Sequence, residues 1–563
     1  MLANHPRRIL LALCLLVLGA LGLRLASTDR LLPEFREPDA FETLEMQHQQ
    51  GDPAIVKHVV FRERYPWLLA WTLALIPHQP APDDAGLAEH LELAADPYER
   101  VRIGAALLAT LQVALTFCLA RRFLPPAQSL LASLLVGTSL LHMLFSVQAR
   151  PHGPHAGLAL LSLIASLRLM ERPSAARAVL ASLASTSAIA MLQLGYSTIP
   201  PLGLACVMAA GKSWRWRLGA LALLPATAIL LAQLWYTNRP YIDAEGLHLA
   251  SASGGGHTLF LSQMDFLGSL RGARMFFEHD PLFAVLSAAG LSGALVAAWP
   301  AWQSGDRVWR SQVAVAAGFA LPYLAVITIQ GEVYERFLMP LLPFLALFGA
   351  WAFFVVFRAH RGLQPLAVLL LLGPCLIGAL RFARVARAEN GYEQAAAWLM
   401  QNAGTDERIV HTPDLTVPLL HSREALEAQL ADPASANMPW ITYSATIMSL
   451  PAGERLFDIR PFPARLSLPS FGPDRERMRE WLRENRVRWL VLEISQRNAR
   501  RPILQSLEDA ARDLGTLVFV SRGSGPGIVG QGSLDYQAIE EHALRQIDQT
   551  CAGPLIRIYR IER

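Results

Sequence analysis

The stretch EFREPDAFETLEMQHQQGDPAIVKHVVFRERYPWLLAW, Glu34–Trp71, stands between two apolar runs near the start of the chain. Its first part is rich in acids and its last part is rich in bases, so it offers a candidate general base and candidate phosphate ligands. The apolar run that closes it, Tyr65–Pro77, has only 13 residues, whereas a membrane-spanning helix needs about 20. We therefore predict an exposed loop followed by a helix that lies along, or dips into, a membrane interface.

The composition indicates a membrane protein with a soluble part. Of the 563 residues, 53% are hydrophobic and only 17% are charged, and the formal net charge is +4. These values are typical of a polytopic membrane protein and exclude a basic nucleic-acid-binding domain, so no nucleic-acid partner is expected. Four of the five cysteines lie in apolar runs and no CxxC pair occurs. A disulfide framework and a zinc site are therefore not indicated.

Apolar runs recur along the first two thirds of the chain. The first, Ile9–Leu23, follows Arg7 and Arg8, and a cleaved signal peptide has a similar pattern. Because no clear A-x-A site follows and many more runs come after it, an uncleaved first span is the preferred interpretation. The other runs cover residues 101–120, 127–147, 153–170, 178–194, 196–211, 216–236, 281–299, 311–330, 335–357 and 364–382. Together they predict a polytopic α-helical membrane protein with about eleven spans plus interfacial helices.

Positive residues fall in alternate connections between these runs. If the N-terminus is cytoplasmic, every connection on the cytoplasmic side is basic, as the positive-inside rule requires. Those bases are Arg121 and Arg122; Arg168, Arg172 and Arg177; Lys212, Arg215 and Arg217; Arg307 and Arg310; and Arg358 and Arg361. The segments left outside are 27–100, 148–155, Leu194–Tyr196, 237–280, 330–336 and everything after about 383. We predict a multi-pass protein of the cytoplasmic (inner) membrane with a cytoplasmic N-terminus.

The composition changes near residue 389, where an alternation of helices and strands begins. Helices are predicted at 392–401, 474–485, 502–514 and 535–549, and strands at 408–411, 488–493, 516–521 and 555–561. This pattern indicates an α/β fold. We predict a membrane domain at 1–385 and an extracytoplasmic α/β domain at 386–563. The long 237–280 segment, with SASGGG, is predicted to be a connector, and a flap over a site is the alternative.

The acidic half of the opening stretch contains the candidate base. Pro38 favours a helix start, which would bring Asp39 and Glu42 one turn apart on one face. A carboxylate at that place can also be an ordinary stabiliser of the helix N-terminus. In the basic half, Arg62 and Arg64 precede the interfacial run, where arginines can bind a lipid phosphate or simply anchor the chain at the headgroups.

Two further polar segments adjoin apolar runs. Arg150, His152 and His155 form a dense turn, which could contact a donor phosphate or could be a solvated turn; without a nearby acid they are a weak metal signal. Glu335 and Arg336 precede the apolar run FLMPLLPFLAL, where they could orient a substrate or fix the helix end.

The order of these segments resembles the GT-C membrane glycosyltransferases, in particular the protein O-mannosyltransferase and lipid A aminoarabinose transferase superfamily. Four motifs carry the resemblance over about residues 1–385. They are PDAFETLE, where the family has a Pro-Asp-Glu type motif; ERYPWLLAW, like its Lys/Arg-Pro element; SVQARPHGPHAGLALL, like its S-x-x-ARP-Y-x-LL segment; and ERFLMPLLPFLALFGAW, like its R-Y-x-x-P-x-x-P-F element.

The resemblance implies transfer of a sugar from a polyprenyl-phosphate donor to a glycan, lipid or protein acceptor outside the cytoplasmic membrane. It implies that Asp39 is the catalytic base of an inverting reaction. Arg64, with Arg150 and Lys57, is expected to bind the donor phosphate. The other candidates for substrate binding are Glu37, Glu42, His152, His155, Glu335 and Arg336. The family's acid after the aspartate is Ala40 here, which argues against a bound divalent metal and, less strongly, against activity.

Three other classes of protein remain as alternatives. A transporter would need ionisable residues in mid-span, and the apolar runs contain almost none. An O-antigen ligase would carry its catalytic loop late in the chain, whereas the acidic loop comes first here. A degenerate GT-C scaffold that binds a lipid-linked saccharide or a protein partner without catalysis is compatible with Ala40.

Overall fold

The structure is a computed structural model, and it describes a defined part of the chain. The described residues are 6–29, 68, 87–209, 215–238, 241–243, 246–248, 266–329, 333–412, 417, 419–430, 455–463, 474–494, 502–521 and 555–562. They form two compact units. Described residues within Met1–Thr28 and Val101–Arg381 belong to the first unit, and those within Pro77–Arg100 and Phe382–Arg563 belong to the second.

The first unit is a bundle of apolar helices. Its helices are α1 (Pro6–Leu25), α2 (Leu87–Ala120, from Val101), α3 (Pro126–Thr138), α4 (Leu140–Ser146), α5 (His152–Glu171), α6 (Ala175–Met191), α7 (Ile199–Met208), α8 (Arg215–Asn238), α9 (Gly268–His279), α10 (Pro281–Ser304), α11 (Arg307–Ile329), α12 (Leu342–Val356) and α13 (Gln364–Ala386, to Arg381). Short 3₁₀ segments at Gln193–Thr198, Glu335–Leu341 and Arg361–Leu363 precede α7, α12 and α13.

The eleven predicted spans fall on helical segments of this bundle, and the run 127–147 is divided between α3 and α4. Six described helices are long and apolar enough to cross a membrane, and a seventh crossing results if α3 and α4 are one bent span. The remaining runs contain shorter apolar helical stretches of 10–17 residues. The chain is therefore a multi-pass membrane protein, and the predicted number of about eleven spans stays a prediction.

Two segments predicted as loops contain regular structure. In the 237–280 segment, β1 (Tyr241–Asp243) pairs antiparallel with β2 (Gly246–His248), and α9 follows. The buried residues of α9 recur at helical spacing, which the glycines had obscured: Gly268, Gly272, Met275, Phe276 and His279. In the 27–100 segment, α2 begins at Leu87 because LAEHLELAA is rich in strong helix formers. The predicted interfacial helix lies outside the described residues apart from Leu68, which is helical.

Glycines allow some helices of the bundle to touch backbone to backbone. A Cβ atom at Gly157 of α5 would overlap the carbonyl oxygen of Leu108 in α2. A Cβ atom at Gly290 of α10 would overlap the carbonyl oxygen of Phe348 in α12. Beside this second contact, Ser287 Oγ donates to the carbonyl oxygen of Leu345 at 2.9 Å. Small residues at such seams are the usual means of close helix packing in membranes.

The second unit has a five-stranded sheet in the order β4-β3-β5-β7-β6. Its strands are β3 (Arg408–His411), β4 (Asp458–Pro461), β5 (Val487–Ile494), β6 (Gly515–Val520) and β7 (Leu555–Ile561). Strand β3 pairs parallel with β4 and β5, whereas β7 pairs antiparallel with β5 and β6. The helices are α14 (Gly391–Asn402), α15 (Arg423–Leu430), α16 (Arg475–Glu484) and α17 (Pro502–Leu514). The predicted α/β alternation is confirmed, except that 535–549 lies outside the described residues and that β4 and α15 were missed.

Local sequence explains the helix starts of this unit. Asn390 caps α14 with its side chain, and Glu393 bonds back to the Asn390 amide in a capping box. Asp474 caps α16 by accepting from the amides of Glu476 and Arg477. Apolar side chains then pack on both faces of the sheet, with Trp489 on one face and Leu490 on the other.

Candidate active site

Two polar segments that were singled out in the sequence meet in the first unit. One is the turn from Val147 to Pro151 that leads into α5, and the other is the 3₁₀ segment Glu335–Leu341. The turn is buried, with Arg150 only 4% exposed, and Arg150 Nη1 donates to Gln148 Oε1 at 3.3 Å. A charged side chain this far from solvent is uncommon and calls for an explanation from its surroundings.

The 3₁₀ segment is favoured by its single proline. Pro340 has no amide hydrogen, so it cannot donate to the i−4 carbonyl as an α-helix requires. The segment begins with the tighter i+3 pattern, in which the amide of Phe337 donates to the carbonyl of Tyr334 at 3.0 Å. Residues Glu335 and Arg336 lie in the first turn and are 7% and 5% exposed.

Arg336 connects this segment to the start of α5. Its Nε donates to His152 Nε2 at 3.2 Å. Since a guanidinium can only donate, His152 accepts at Nε2 and its imidazole is neutral, with the ring proton on Nδ1. The hydrogen bond joins residues 184 positions apart in sequence, so the turn and the 3₁₀ segment form one cluster.

Aromatic rings enclose the Arg336 side chain. Its guanidinium carbon lies 4.4 Å from the centre of the Tyr334 ring and 5.4 Å from that of Phe337. The His152 ring lies 5.6 Å from the Phe337 ring between centres. Contacts of a cation with ring faces are stabilising and become stronger when water is excluded. We call these residues the turn cluster: Gln148, Arg150, His152, Tyr334, Glu335, Arg336 and Phe337.

His155 forms its hydrogen bond with a different helix, α6. It lies one turn along α5, is 1% exposed, and bonds through Nδ1 to the carbonyl oxygen of Ala188 in α6 at 3.2 Å. Its Nε2 is buried and has no hydrogen-bond partner among the described residues. The structure thus brings His152 to Arg336 and directs His155 to α6.

The remaining predicted site residues lie outside the described residues. They are Glu37, Asp39, Glu42, Lys57 and Arg64. Their roles as base, phosphate ligands and substrate contacts stay predictions. Within the described part of the chain, no group of three His, Cys, Asp or Glu side chains is arranged to hold a metal ion.

The bundle also buries ionisable residues that the sequence analysis did not select. Arg24 at the end of α1, Arg102 in α2, His142 in α4 and Asp280 before α10 are each at most 2% exposed. Arg102 Nη1 donates to the carbonyl oxygen of Thr28 at 2.9 Å. The available signal was that each is a single charged or imidazole side chain within or next to an apolar run, which is a reason to expect a specific role.

Solved structures resemble the chain at low sequence identity. The apo oligosaccharyltransferase of Archaeoglobus fulgidus is 12% identical, with a TM-score of 0.48 over 95% of this chain and 75% of that chain. ArnT from Cupriavidus metallidurans bound to undecaprenyl phosphate is 12% identical, with a TM-score of 0.44 over 97% of each chain. Arabinofuranosyltransferase AftD from Mycobacteria is 15% identical, with a TM-score of 0.40 over 98% of this chain and 40% of that chain.

These similar structures are GT-C glycosyltransferases. No family model matches the chain. No curated protein matches it by sequence either.

Proposed function

We propose that the chain is a membrane glycosyltransferase that moves a sugar from a polyprenyl-phosphate donor to a hydroxyl or amine of a glycan, lipid or protein acceptor. The reaction takes place at the outer face of the cytoplasmic membrane. The observation that supports it best is the hydrogen bond between Arg336 and His152. It joins two of the four segments that carry the sequence resemblance, which is what a shared site requires.

In the proposed reaction, Asp39 is the general base. It accepts the proton of the acceptor while the acceptor oxygen or nitrogen forms a bond to the anomeric carbon. The bond from that carbon to the phosphate oxygen breaks on the opposite side, so the configuration inverts and polyprenyl phosphate leaves. A positioned base of this kind contributes about 10²–10⁴-fold.

Cationic side chains have the complementary task. Negative charge grows on the departing phosphate, and fixed cations in a poorly hydrated site stabilise such charge well. We assign this role to Arg64, with Arg150 and Lys57. Arg336 is held among aromatic rings, and guanidinium groups bind phosphate or carboxylate oxygens in a fixed geometry. We assign it, with His152, to orientation of the substrate.

The test is turnover of undecaprenyl-phosphate-linked pentoses and hexoses in proteoliposomes, read as release of undecaprenyl phosphate by mass spectrometry. We expect Asp39→Asn to lose about 10²–10⁴-fold in rate. Arg336→Gln should lose activity, whereas the matched control Arg274→Gln, at an arginine whose side chain is 61% exposed and pairs with Glu278, should not. Full activity in a folded Asp39→Asn protein would reject the base assignment.

A second candidate is a scaffold that binds a lipid-linked saccharide without reaction. The observation that favours it is Ala40, which stands where the resembled family has an acid. Isothermal titration with undecaprenyl phosphate separates the two proposals. Binding by a chain that turns over none of the donors supports the scaffold, and turnover supports the transferase.

A further inference from the structure

The span formed by α3 and α4 is broken in the middle. The two helices meet at Ser139 with a bend of 55°. A break leaves carbonyl groups without partners at the end of α3 and amides without partners at the start of α4. Inside a helix bundle that excludes water, such groups have to be satisfied by the protein. The structure shows which side chains satisfy them.

Asp280 satisfies the amide side of the break. Its Oδ1 accepts from the amide of Leu140 at 2.9 Å, and its Oδ2 accepts from the amide of Leu141 at 3.2 Å and from Ser139 Oγ at 2.6 Å. The carboxylate is fully buried. It lies at the N-terminal end of α4. This end carries the positive end of the helix dipole, which favours a negative charge.

Arg24 satisfies the carbonyl side. Its Nη1 and Nη2 lie 3.3 and 3.4 Å from the carbonyl oxygen of Gly137 in the last turn of α3. Its Nη1 also donates to the carbonyl oxygen of Ala20 at 2.7 Å. The side chain is fully buried, and its positive charge lies at the negative end of the α3 dipole. The break therefore has one charge of each sign, one on each of its two sides.

From Arg24 a chain of hydrogen bonds leads to the 3₁₀ segment Glu335–Leu341. Arg24 Nη2 lies 2.7 Å from His142 Nδ1, His142 Nε2 lies 2.9 Å from Gln112 Oε1, and Gln112 Nε2 donates to the Met339 carbonyl oxygen at 2.7 Å. Arg24 can only donate, so His142 accepts at Nδ1 and donates from Nε2. Each bond in the series then has one possible direction.

The chain ends close to the proposed substrate contact. Met339 follows Arg336 by three residues in the 3₁₀ segment, which is one turn of that helix type. We propose that Arg24, His142 and Gln112 are positioning residues that fix the 3₁₀ segment, and with it Arg336, relative to the break in the α3–α4 span. Asp280 balances the charge of Arg24 from the other side of the break. The link to catalysis rests on the proposed function, whereas the positioning of the segment does not.

The first test uses Gln112→Met, which keeps the size of the side chain and removes both of its hydrogen bonds. The matched control is Thr116→Val, one turn along α2, where the hydroxyl bonds only to the Gln112 carbonyl of its own helix. The readout is hydrogen exchange of the amides in Glu335–Leu341, measured by mass spectrometry on the full chain in nanodiscs. Loss of one buried hydrogen bond predicts exchange about five- to tenfold faster in Gln112→Met and unchanged exchange in Thr116→Val.

Equal exchange in Gln112→Met and the wild-type protein would overturn the positioning role, whether or not the chain is an enzyme. If the wild-type protein turns over no donor, the proposed function fails and the exchange result still decides this inference. If turnover is found, Gln112→Met should have a lower kcat than Thr116→Val when both are assayed at a temperature at which each variant is fully folded. A kcat equal to that of the control contradicts the link to Arg336.

The second test addresses the pair of charges. Arg24→Gln and Asp280→Asn each leave the other charge buried without its counterpart, and the double variant removes both. We expect the melting temperature of the double variant to fall by less than the sum of the decreases in the two single variants, because neighbouring sites couple. Additive losses would show that the two charges act independently and would reject the pair.

Discussion

The buried charges at the α3–α4 break in the first unit and the ion-pair cluster around Glu508 in the second unit have different bonding partners. In the first unit, the buried Arg24 and Asp280 bond mainly to backbone groups at helix ends. In the second unit, charged side chains bond to one another, as Glu508 does with Arg512 and Arg557. The difference follows from the solvent. A helix end inside a membrane bundle has no water to satisfy it, whereas the edges of a soluble α/β fold have water in excess.

The contribution of a charged side chain to stability therefore differs between the two settings. In the bundle, removing a side chain leaves buried backbone groups without partners, and that cost is large. At the edge of the sheet, water replaces the lost partner, and exposed ion pairs add little. The following predictions test the comparison in order of decreasing effect.

The largest effect is expected for Asp280→Ala. It leaves two buried amides and the Ser139 hydroxyl without their acceptor, which costs about 3–5 kcal/mol of stability. The matched control is Asp306→Ala, because Asp306 Oδ1 accepts from the amide of Trp309 at an exposed helix start. That change should cost about 1 kcal/mol. Unfolding of the full chain in mild detergent measures both, and equal losses would remove the distinction between a buried and an exposed helix start.

A pH effect of about 2 kcal/mol for each of two imidazoles is expected in the second unit. Burial lowers the pKa of His411 to about 4 and that of His421 to about 3, where the nearby His411 lowers it further and Asp458 opposes the shift. Both imidazoles are therefore neutral when folded, and the unfolded chain binds more protons below its pKa of about 6.5. Stability is fully present above that pH and falls as the pH is lowered toward 4.

Hydrogen exchange of peptides that contain β3, compared at pH 7 and pH 5 after correction for the intrinsic rate, measures this effect. The control is His411→Asn together with His421→Asn, which removes both titrating groups. Its stability should change less between the two pH values. An equal slope in wild type and control would assign the pH dependence to other groups.

A smaller effect, about 1–2 kcal/mol, is expected for Glu508→Gln. The carboxylate accepts from Tyr559 Oη at 2.8 Å, from Arg557 Nη1 at 2.6 Å and from Arg512 Nη2 at 2.8 Å. Burial acts to raise the pKa of Glu508, but these hydrogen bonds outweigh it and the pKa lies below its usual range. Denaturant unfolding should show the loss, while Glu427→Gln, in an exposed pair with Arg423, should show none.

The smallest effect is expected for Asp513→Asn. Asp513 pairs with Arg475 and Arg479 at the surface of the second unit. Salt screens exposed pairs, so the variant and the wild-type protein should become indistinguishable in 1 M salt. A difference that persists at high salt would show that this pair behaves like the buried charges of the bundle.

The sequence predicted most of the elements because their patterns are local. The eleven predicted spans fall on helical segments, and β3, β5 and β7 lie where the apolar patterns placed them. The break at Ser139 was not predicted, since SLLASLLVGTSLLHMLFSV contains no proline and reads as one span. Arg24 and Asp280 bond to groups on the two sides of the break, and each lies more than a hundred residues from its partner in sequence. Tertiary partners of this kind leave no local signal.

The sequence predicted several residues of the candidate site but few of the contacts between them. Arg150, His152 and Arg336 were selected because they are polar residues beside apolar runs, and the structure buries all three. The contact between His152 and Arg336 could not be predicted, because no pattern relates positions 184 residues apart. His142 and Gln112 were missed because each is a single polar side chain within an apolar run.

The contacts at Gly157 and Gly290 also restrict where a long lipid tail can enter the bundle. Each glycine lies against the carbonyl oxygen of a neighbouring helix, so α2 and α5 are closed against each other, as are α10 and α12. No isoprenoid chain fits between backbones that already touch. In the proposed reaction the donor must therefore enter the bundle through another face.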